Sequence, residues 1–410
     1  MMLVSRALAS LLCLTGLTVA GNRADGEGLP LVESNAAFAF DLYQAVRRPE
    51  GNLFFSPYSI SVALAMARAG AAGETASQMD AVLHLPREGV AQGHRELAQQ
   101  LEPPLLAESD EEESRPTPAY ELNIANALWG QEDLPFQRRF LAVLEDDYGA
   151  PLARVDFAKS AEVRDRINAW VAERTRDRIR NIIPEGQPSP DARLALANAI
   201  YLKASWAGPF PAGRTAEAPF TASAGEQVTV PFMHQTQHLG YAGMGDVQVL
   251  SLPYRDARMS MIILLPRKSS SLEGLQARLD PEQLATWLSA LRPTHVRVAL
   301  PRFEFASSFD LTETLAEMGM RDAFDGGRAD FSNMAEVELF ISLVLHKAFV
   351  AVDEQGTEAA AATAVLMAIT GAPAEPTVEF RADHPFLFLI QHRDTGAILF
   401  FGRVADPTQP

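Results

Sequence analysis

Hydrophobic and polar positions along this chain follow two periods, and segments of each kind are interleaved. Ile60, Leu64 and Ala67 recur at i, i+4 and i+7, which predicts a helix ending near Gly70. Ser56-Pro57 just before them reads as an N-cap followed by proline at the first helical position. Thr75 is placed as the cap of a second short helix carrying Met79 and Leu83. Val163, Ile167, Trp170 and Val171 return to helical spacing, and a further helix is expected at about 311–320. Leu122, Ile124 and Leu128 keep a period of two, as do Val296, Val298 and Leu300 ahead of Pro301. Other strands are expected at 249–254, 259–265 and within 340–352. Residues 193–206 (RLALANAIYLKASW) are largely apolar on both faces, as a central sheet strand requires, and carry an Asn198 expected to be buried. The runs 386–390 and 397–401 flank His392-Arg393-Asp394-Thr395-Gly396, a hairpin turn. The mixture lacks the regular rhythm of a parallel fold, so the class is α+β in one continuous domain.

Charge and cysteine usage then narrow the partners. The 410 residues carry 35 Lys+Arg against 52 Asp+Glu, a net charge of −17 without a basic stripe, which argues against nucleic acid. Past the N-terminus no apolar run reaches the ~18–20 residues of a membrane span, so no membrane partner is expected. The single cysteine, Cys13, lies in a segment built like a secretory signal. A short charged region ends at Arg6, an apolar stretch runs from Ala7 to Leu17, and Thr18 and Ala20 suit cleavage before Gly21. Residues 1–20 are therefore expected to be removed, 21–30 to form a linker, and the product to be secreted or extracytoplasmic, without thiol or disulfide. Residues 108–114 (ESDEEES), followed by Pro116 and Pro118, predict a solvated acidic loop.

Candidate catalytic motifs fail on context. His392-Arg393-Asp394 resembles part of a kinase loop, but the downstream Asn and a glycine-rich nucleotide loop are missing. His234 and His238 have metal-ligand spacing, yet Gln235 stands where a zinc protease needs glutamate; a surface loop is the expected setting. Gly70 to Gly73 lack the Lys-Ser/Thr of a phosphate loop, and no G-x-S-x-G elbow occurs. An enzyme is not expected, nor a cofactor or a metal.

The most unusual stretch is Glu354–Pro376, EQGTEAAAATAVLMAITGAPAEP, directly after a strand-like run ending at Val352. With a period of two, one face carries Thr357, Ala359, Ala361, Thr363, Val365 and Met367, without charge or proline. Such a face suits a buried strand, while the alanines also permit helix or a flexible linker.

Several blocks in order resemble the serpin family over residues 31–410. They are the segment Asn52 to Ile60 (NLFFSPYSI), Asn198 to Trp206 (NAIYLKASW), Val298 to Phe303, His346-Lys347, Glu354 to Thr363, Phe380 to Ile390 (FRADHPFLFLI) and the closing Gly402 to Thr408. The resemblance implies a serpin fold of three β-sheets with about eight or nine helices and an exposed reactive-centre loop at about 354–376. It also implies a monomer that inhibits serine proteases through a covalent acyl-enzyme. The hinge would comprise Glu354, Gly356, Thr357, Ala359, Ala361 and Thr363. Counting fifteen residues from Gly356 puts the reactive bond at Thr370-Gly371, with Ile369 or Ala368 as alternatives on the acyl side. All three are uncharged, so an elastase-like or subtilisin-like target is expected. Ser56, Asn198 and His346 match the polar cluster that controls sheet opening, and Trp206 the tryptophan under the loop's point of entry. Arg302 occupies the position that pairs with the hinge glutamate, Glu354. A non-inhibitory carrier or chaperone is the alternative within the family, and a secreted enzyme of unrelated fold the alternative outside it.

Overall fold

A computed structural model describes residues 30–48, 50–106, 117–267, 271–358 and 376–410. The segment read as a signal, the acidic stretch 108–114, and Ala359, Ala361, Thr363, Ala368, Ile369, Thr370 and Gly371 lie outside the described residues. The described residues form nine α-helices and three sheets, an α+β arrangement consistent with the serpin fold. The first helix, Pro30–Val46, begins at the last residue of the segment read as a linker.

The larger sheet has nine strands, and the C-terminal hairpin, Phe386–His392 with Ile398–Val404, is set in it between Leu53–Phe55 and Met259–Pro266. The six-stranded sheet runs in the order Phe303–Asp310, Leu343–Val352, Gly356–Thr357, Leu194–Ser205, Tyr120–Gln131, Ala153–Val155. A two-residue ladder, Leu105–Leu106 with Thr117–Pro118, is the third.

Leu194–Ser205 is apolar on both faces because both are covered. Its even positions Ile200, Leu202 and Ala204 join the core shared with the larger sheet, beside Leu250 and Phe388. The odd positions Ala195, Ala197 and Ala199 lie under Phe157 and Ile167, at and within the cover formed by helix Ser160–Arg174. Alanine on that face lets the helix approach closely; the larger side chains fill the deeper layer between sheets.

Ser56 caps helix Pro57–Arg68, its Oγ accepting from Ser59 N at 3.1 Å. Thr75 does not cap the next helix: Gly73–Val82 starts two residues earlier, and the Thr75 hydroxyl instead accepts from Asp330 N at 2.9 Å. A distant backbone N–H won that side chain, which local pattern does not reveal. His234 and His238 are on strand Gln227–Met244, not a loop. Four residues along a strand separate two side chains by roughly 13 Å, so the pair cannot share a metal as it would on a helix.

Candidate functional site

The two central strands of the six-stranded sheet run parallel and separate at one end. Leu343–Val352 pairs with Leu194–Ser205 from Leu343↔Ala195 to Ala348↔Ile200, and no further. The two-residue strand Gly356–Thr357 fills the far end of the gap, antiparallel to both neighbours: Thr357 faces Val352 on one side and Ala204 on the other. A turn at Asp353 brings the chain back. Asp353 Oδ1 accepts from Gln355 N at 2.8 Å and Gly356 N at 3.2 Å, and Asp353 N donates to Gly356 O at 3.0 Å. Gly356 is required by proximity, since a Cβ there would stand 2.0 Å from the Ala204 carbonyl oxygen.

Below this hinge strand the sequence supplies a rigid floor. Trp206 and Tyr254 stack with centroids 4.6 Å apart at 14°. Trp206 Nε1 donates to Asp353 O at 3.0 Å, and Tyr254 OH lies 2.7 Å from Thr357 Oγ1. Thr357 is only 2% exposed. Glu354 is buried beside it and accepts from Arg302 Nε at 2.9 Å, from Arg302 Nη2, and from Thr215 Oγ1. Burial pushes the Glu354 carboxyl up, but the donors from Arg302 and Thr215 outweigh it and hold the group below its ordinary value.

The next residue, Glu358, is left-handed (φ 48°), donates its N–H to Ala351 O at 2.9 Å and pairs through its carboxylate with Arg178. Burial leads there, and the carboxyl is raised. Arg178 belongs to a segment laid across the gap: Arg176 bonds Glu121 at 2.8 Å, and Lys347 Nζ donates to Arg180 O at 2.8 Å. A cavity of about 650 Å³ remains between this segment and the sheet, walled by Tyr201, Lys203, Phe349 and Glu358.

Deeper in the sheet, the closed part of the seam passes through a polar cluster. His346 and Asn198 are direct register partners and both are buried. His346 Nε2 accepts from Ser56 N at 3.1 Å, so its proton sits on Nδ1 and is donated to Asn198 Oδ1. Burial pushes this imidazole down to about 3, which keeps it neutral. Asn198 Nδ2 in turn donates to Ser59 Oγ at 2.6 Å and to Asn126 Oδ1, and Ser56 Oγ donates to Leu399 O at 2.6 Å. Three adjacent strands, one helix start and the second sheet are thereby joined by one chain of hydrogen bonds.

The structure thus brings together Ser56, Asn198 and His346, and separately Arg302, Glu354, Gly356, Thr357 and Trp206. Sequence reasoning missed Asn126, Ser59, Thr215, Tyr254 and Arg178. Asn126 lies opposite Asn198 in the antiparallel register, a signal that exists only once the strands are aligned.

A family model described as Serpin (serine protease inhibitor) matches residues 33–407. The leukocyte elastase inhibitor of Xenopus laevis is 40% identical over 380 residues, which cover 90% of this chain and 97% of that protein. Serpin B3 of Homo sapiens is 40% identical over 394 residues, covering 92% and 99%. Among solved structures, uncleaved ovalbumin superposes with a TM-score of 0.80 at 29% identity, over 92% of this chain and 100% of that one. The curated relatives correct one expectation. Leukocyte elastase inhibitor and serpin B3 are intracellular serpins, so the reading of a secreted or extracytoplasmic product is withdrawn.

Proposed function

The chain belongs to the serpin family, and we propose that it is an inhibitory member, trapping an elastase-like or subtilisin-like serine protease by a covalent acyl bond. Leukocyte elastase inhibitors among its relatives support serine-protease inhibition at the level of the family. The observation that carries the finer reading is the hinge: Gly356 and Thr357 are already seated between the strands that an inserting loop must part.

Continuing that register gives the path. Thr357 lies between Ala204 and Val352, so Ala359 would fall between Leu202 and Val350, Ala361 between Ile200 and Ala348, and Thr363 between Asn198 and His346. The two sides agree independently, because Ile200 and Ala348, and Asn198 and His346, are already partners across the closed seam. Ala359 and Ala361 would face the layer where Ile200, Leu202, Ala348 and Val350 are buried, which small side chains enter without displacing neighbours.

In this reading the protease serine attacks the Thr370 carbonyl. The peptide bond to Gly371 breaks, its amine leaves with a proton, and an ester to the serine remains. Loop insertion by strand addition is the established behaviour of inhibitory serpins. Roughly 13 inserted residues at about 3.3 Å each carry the tethered protease on the order of 40 Å. Deacylation needs an intact oxyanion hole and aligned triad, and pulling the protease against the serpin distorts both. Residues 31–410 act here as one unit and one monomer, with Glu354 to Thr363 as the hinge and Ser56, Asn198 and His346 as the opening control.

Incubation with pancreatic elastase, subtilisin and trypsin tests the reading. The expected result is a denaturant-stable adduct with the first two and cleavage between residues 368 and 371 by mass spectrometry. Cleavage there by every protease without an adduct would overturn it and leave the non-inhibitory alternative.

A further inference from the structure

One face of the larger sheet carries a cross-strand pair of imidazoles that the proposed function does not use. His238 on Gln227–Met244 and His295 on Arg292–Pro301 are direct antiparallel register partners, and their ring centroids lie 5.1 Å apart. His238 is exposed and His295 half-buried. His234 is too far along the strand to share an ion with His238. Across the ladder the distance is right, since opposite residues hold their Cβ atoms about 4.5–5.5 Å apart.

That spacing is what two ligands of one metal ion require. A metal held at about 2.1 Å by one nitrogen of each ring, at a tetrahedral angle, places the two centroids about 5 Å apart. The far nitrogen of His295 is already engaged: Nδ1 lies 3.0 Å from Thr377 Oγ1, which leaves Nε2 for a metal. A partner of this kind on the other ring nitrogen fixes the tautomer of a ligating imidazole. The adjoining row of the same face, Thr236, Arg297 and Glu379, sets a carboxylate beside the guanidinium, and on the other side Gly240 and Pro293 add no charge. Among the described residues no group of three imidazoles, thiols or carboxylates converges, so water completes the coordination. Two neutral nitrogens with water suit a first-row transition ion and match Mg2+ or Ca2+ poorly, because those take oxygen ligands. We propose that His238 and His295 form a binding site for a divalent transition-metal ion.

Occupancy has a consequence at the edge of the sheet. Strand Val378–Arg381 is an edge strand, attached to Arg292–Pro301 by four parallel register pairs. Metal on His295 Nε2 keeps the proton on Nδ1, which then donates to Thr377 Oγ1 at the start of that strand. Bound metal therefore fastens the edge strand. Site and consequence are both read without any protease, so their failure is separate from failure of the inhibitory reading.

The untagged full chain is titrated calorimetrically with Cu2+, Zn2+ and Mg2+. One ion per chain is expected, with Cu2+ bound about tenfold tighter than Zn2+ and Mg2+ not bound. His238→Gln and His295→Gln each weaken Zn2+ by more than about tenfold, and Thr377→Val, which removes the hydroxyl acceptor, weakens it about tenfold. His234→Gln leaves binding unchanged. Saturating Zn2+ slows amide exchange in Val378–Arg381 severalfold and leaves Leu343–Val352 unchanged. No saturable Zn2+ binding up to about 1 mM, or equal binding by the parent, His238→Gln and His295→Gln, overturns the site. Binding without slowed exchange in the edge strand overturns the consequence.

Discussion

Thr357→Arg separates cleavage of the loop from its insertion. Thr357 is 2% exposed, and its hydroxyl is 2.7 Å from Tyr254 OH, above the Trp206–Tyr254 stack. An arginine carried into that position buries an unpaired guanidinium, which costs several kcal/mol; at about 4 kcal/mol, insertion slows roughly a thousandfold. The intact variant avoids this cost by lifting the hinge, which gives up the pairings of Gly356 and Thr357 and the bond to Tyr254 while the arginine stays in water. It therefore folds, and the protease still acylates it. Deacylation then outruns insertion. In a titration against elastase, followed on denaturing gels, the parent protein is expected to give adduct and the variant mainly cleaved chain. The rate of loop cleavage stays within about threefold, because the reactive bond is far from the substitution in sequence. Thr357→Ser, which keeps the hydroxyl, retains the adduct. Adduct at parental yield from Thr357→Arg would refute the register that places this side chain in the sheet.

Acid should loosen the protein through His346. Its imidazole is held at about 3 in the fold against an ordinary 6.5, so the unfolded chain binds the extra proton in between. Its stabilising contribution is complete above pH 6.5 and is lost as pH falls toward 3; urea midpoints should fall over that window, and His346→Gln should flatten the fall. His94, pushed to about 4 by burial with both ring nitrogens unpartnered, adds a loss of the same sign, and His94→Leu should remove it. Arg302→Gln leaves the Glu354 carboxylate short of its main partner and should cost about 2–3 kcal/mol at pH 7. Glu354 lies below its ordinary 4.5 in the parent, so the difference between the two proteins is full above that pH and closes under more acid conditions. Thr363→Val removes the hydroxyl that would meet Asn198 and His346. The loop-cleaved protein should lose about 1 kcal/mol of stability and the intact protein almost none, as read by denaturant melts of both.

Periodicity exposed most of the elements because their burial is one-sided or complete. Asn198 stood out in the sequence as a polar residue in a run apolar on both faces, and Ser56 as a helix cap. Gly356 gave no such sign, for its need arises from a carbonyl on another strand. Tyr254 and Thr215 come to the hinge through tertiary packing alone, from 103 and 139 residues away in sequence from the groups they bond. The ion pair of Glu358 with Arg178 depends on how the segment after helix Ser160–Arg174 crosses the sheet. Thr75 shows the opposite error, a good local signal overridden by a distant partner.

The closed seam is held at His346 and Asn198 by polar contact, and under the proposed function, in which the sheet opens, this has a use. An apolar pair at that position would leave its area exposed to the incoming strand and regain it with any side chain of similar size, so closure would not discriminate between sequences. Hydrogen bonds do discriminate. Parting the strands leaves Asn198 Oδ1 and the His346 Nδ1–H unpaired in a buried layer, a penalty of about 1–3 kcal/mol per group that resists casual opening. The register returns those bonds only to a residue that can donate and accept at once between the two, and in this chain that residue would be Thr363. In the proposed mechanism, opening is thus opposed by the same groups that would reward complete insertion.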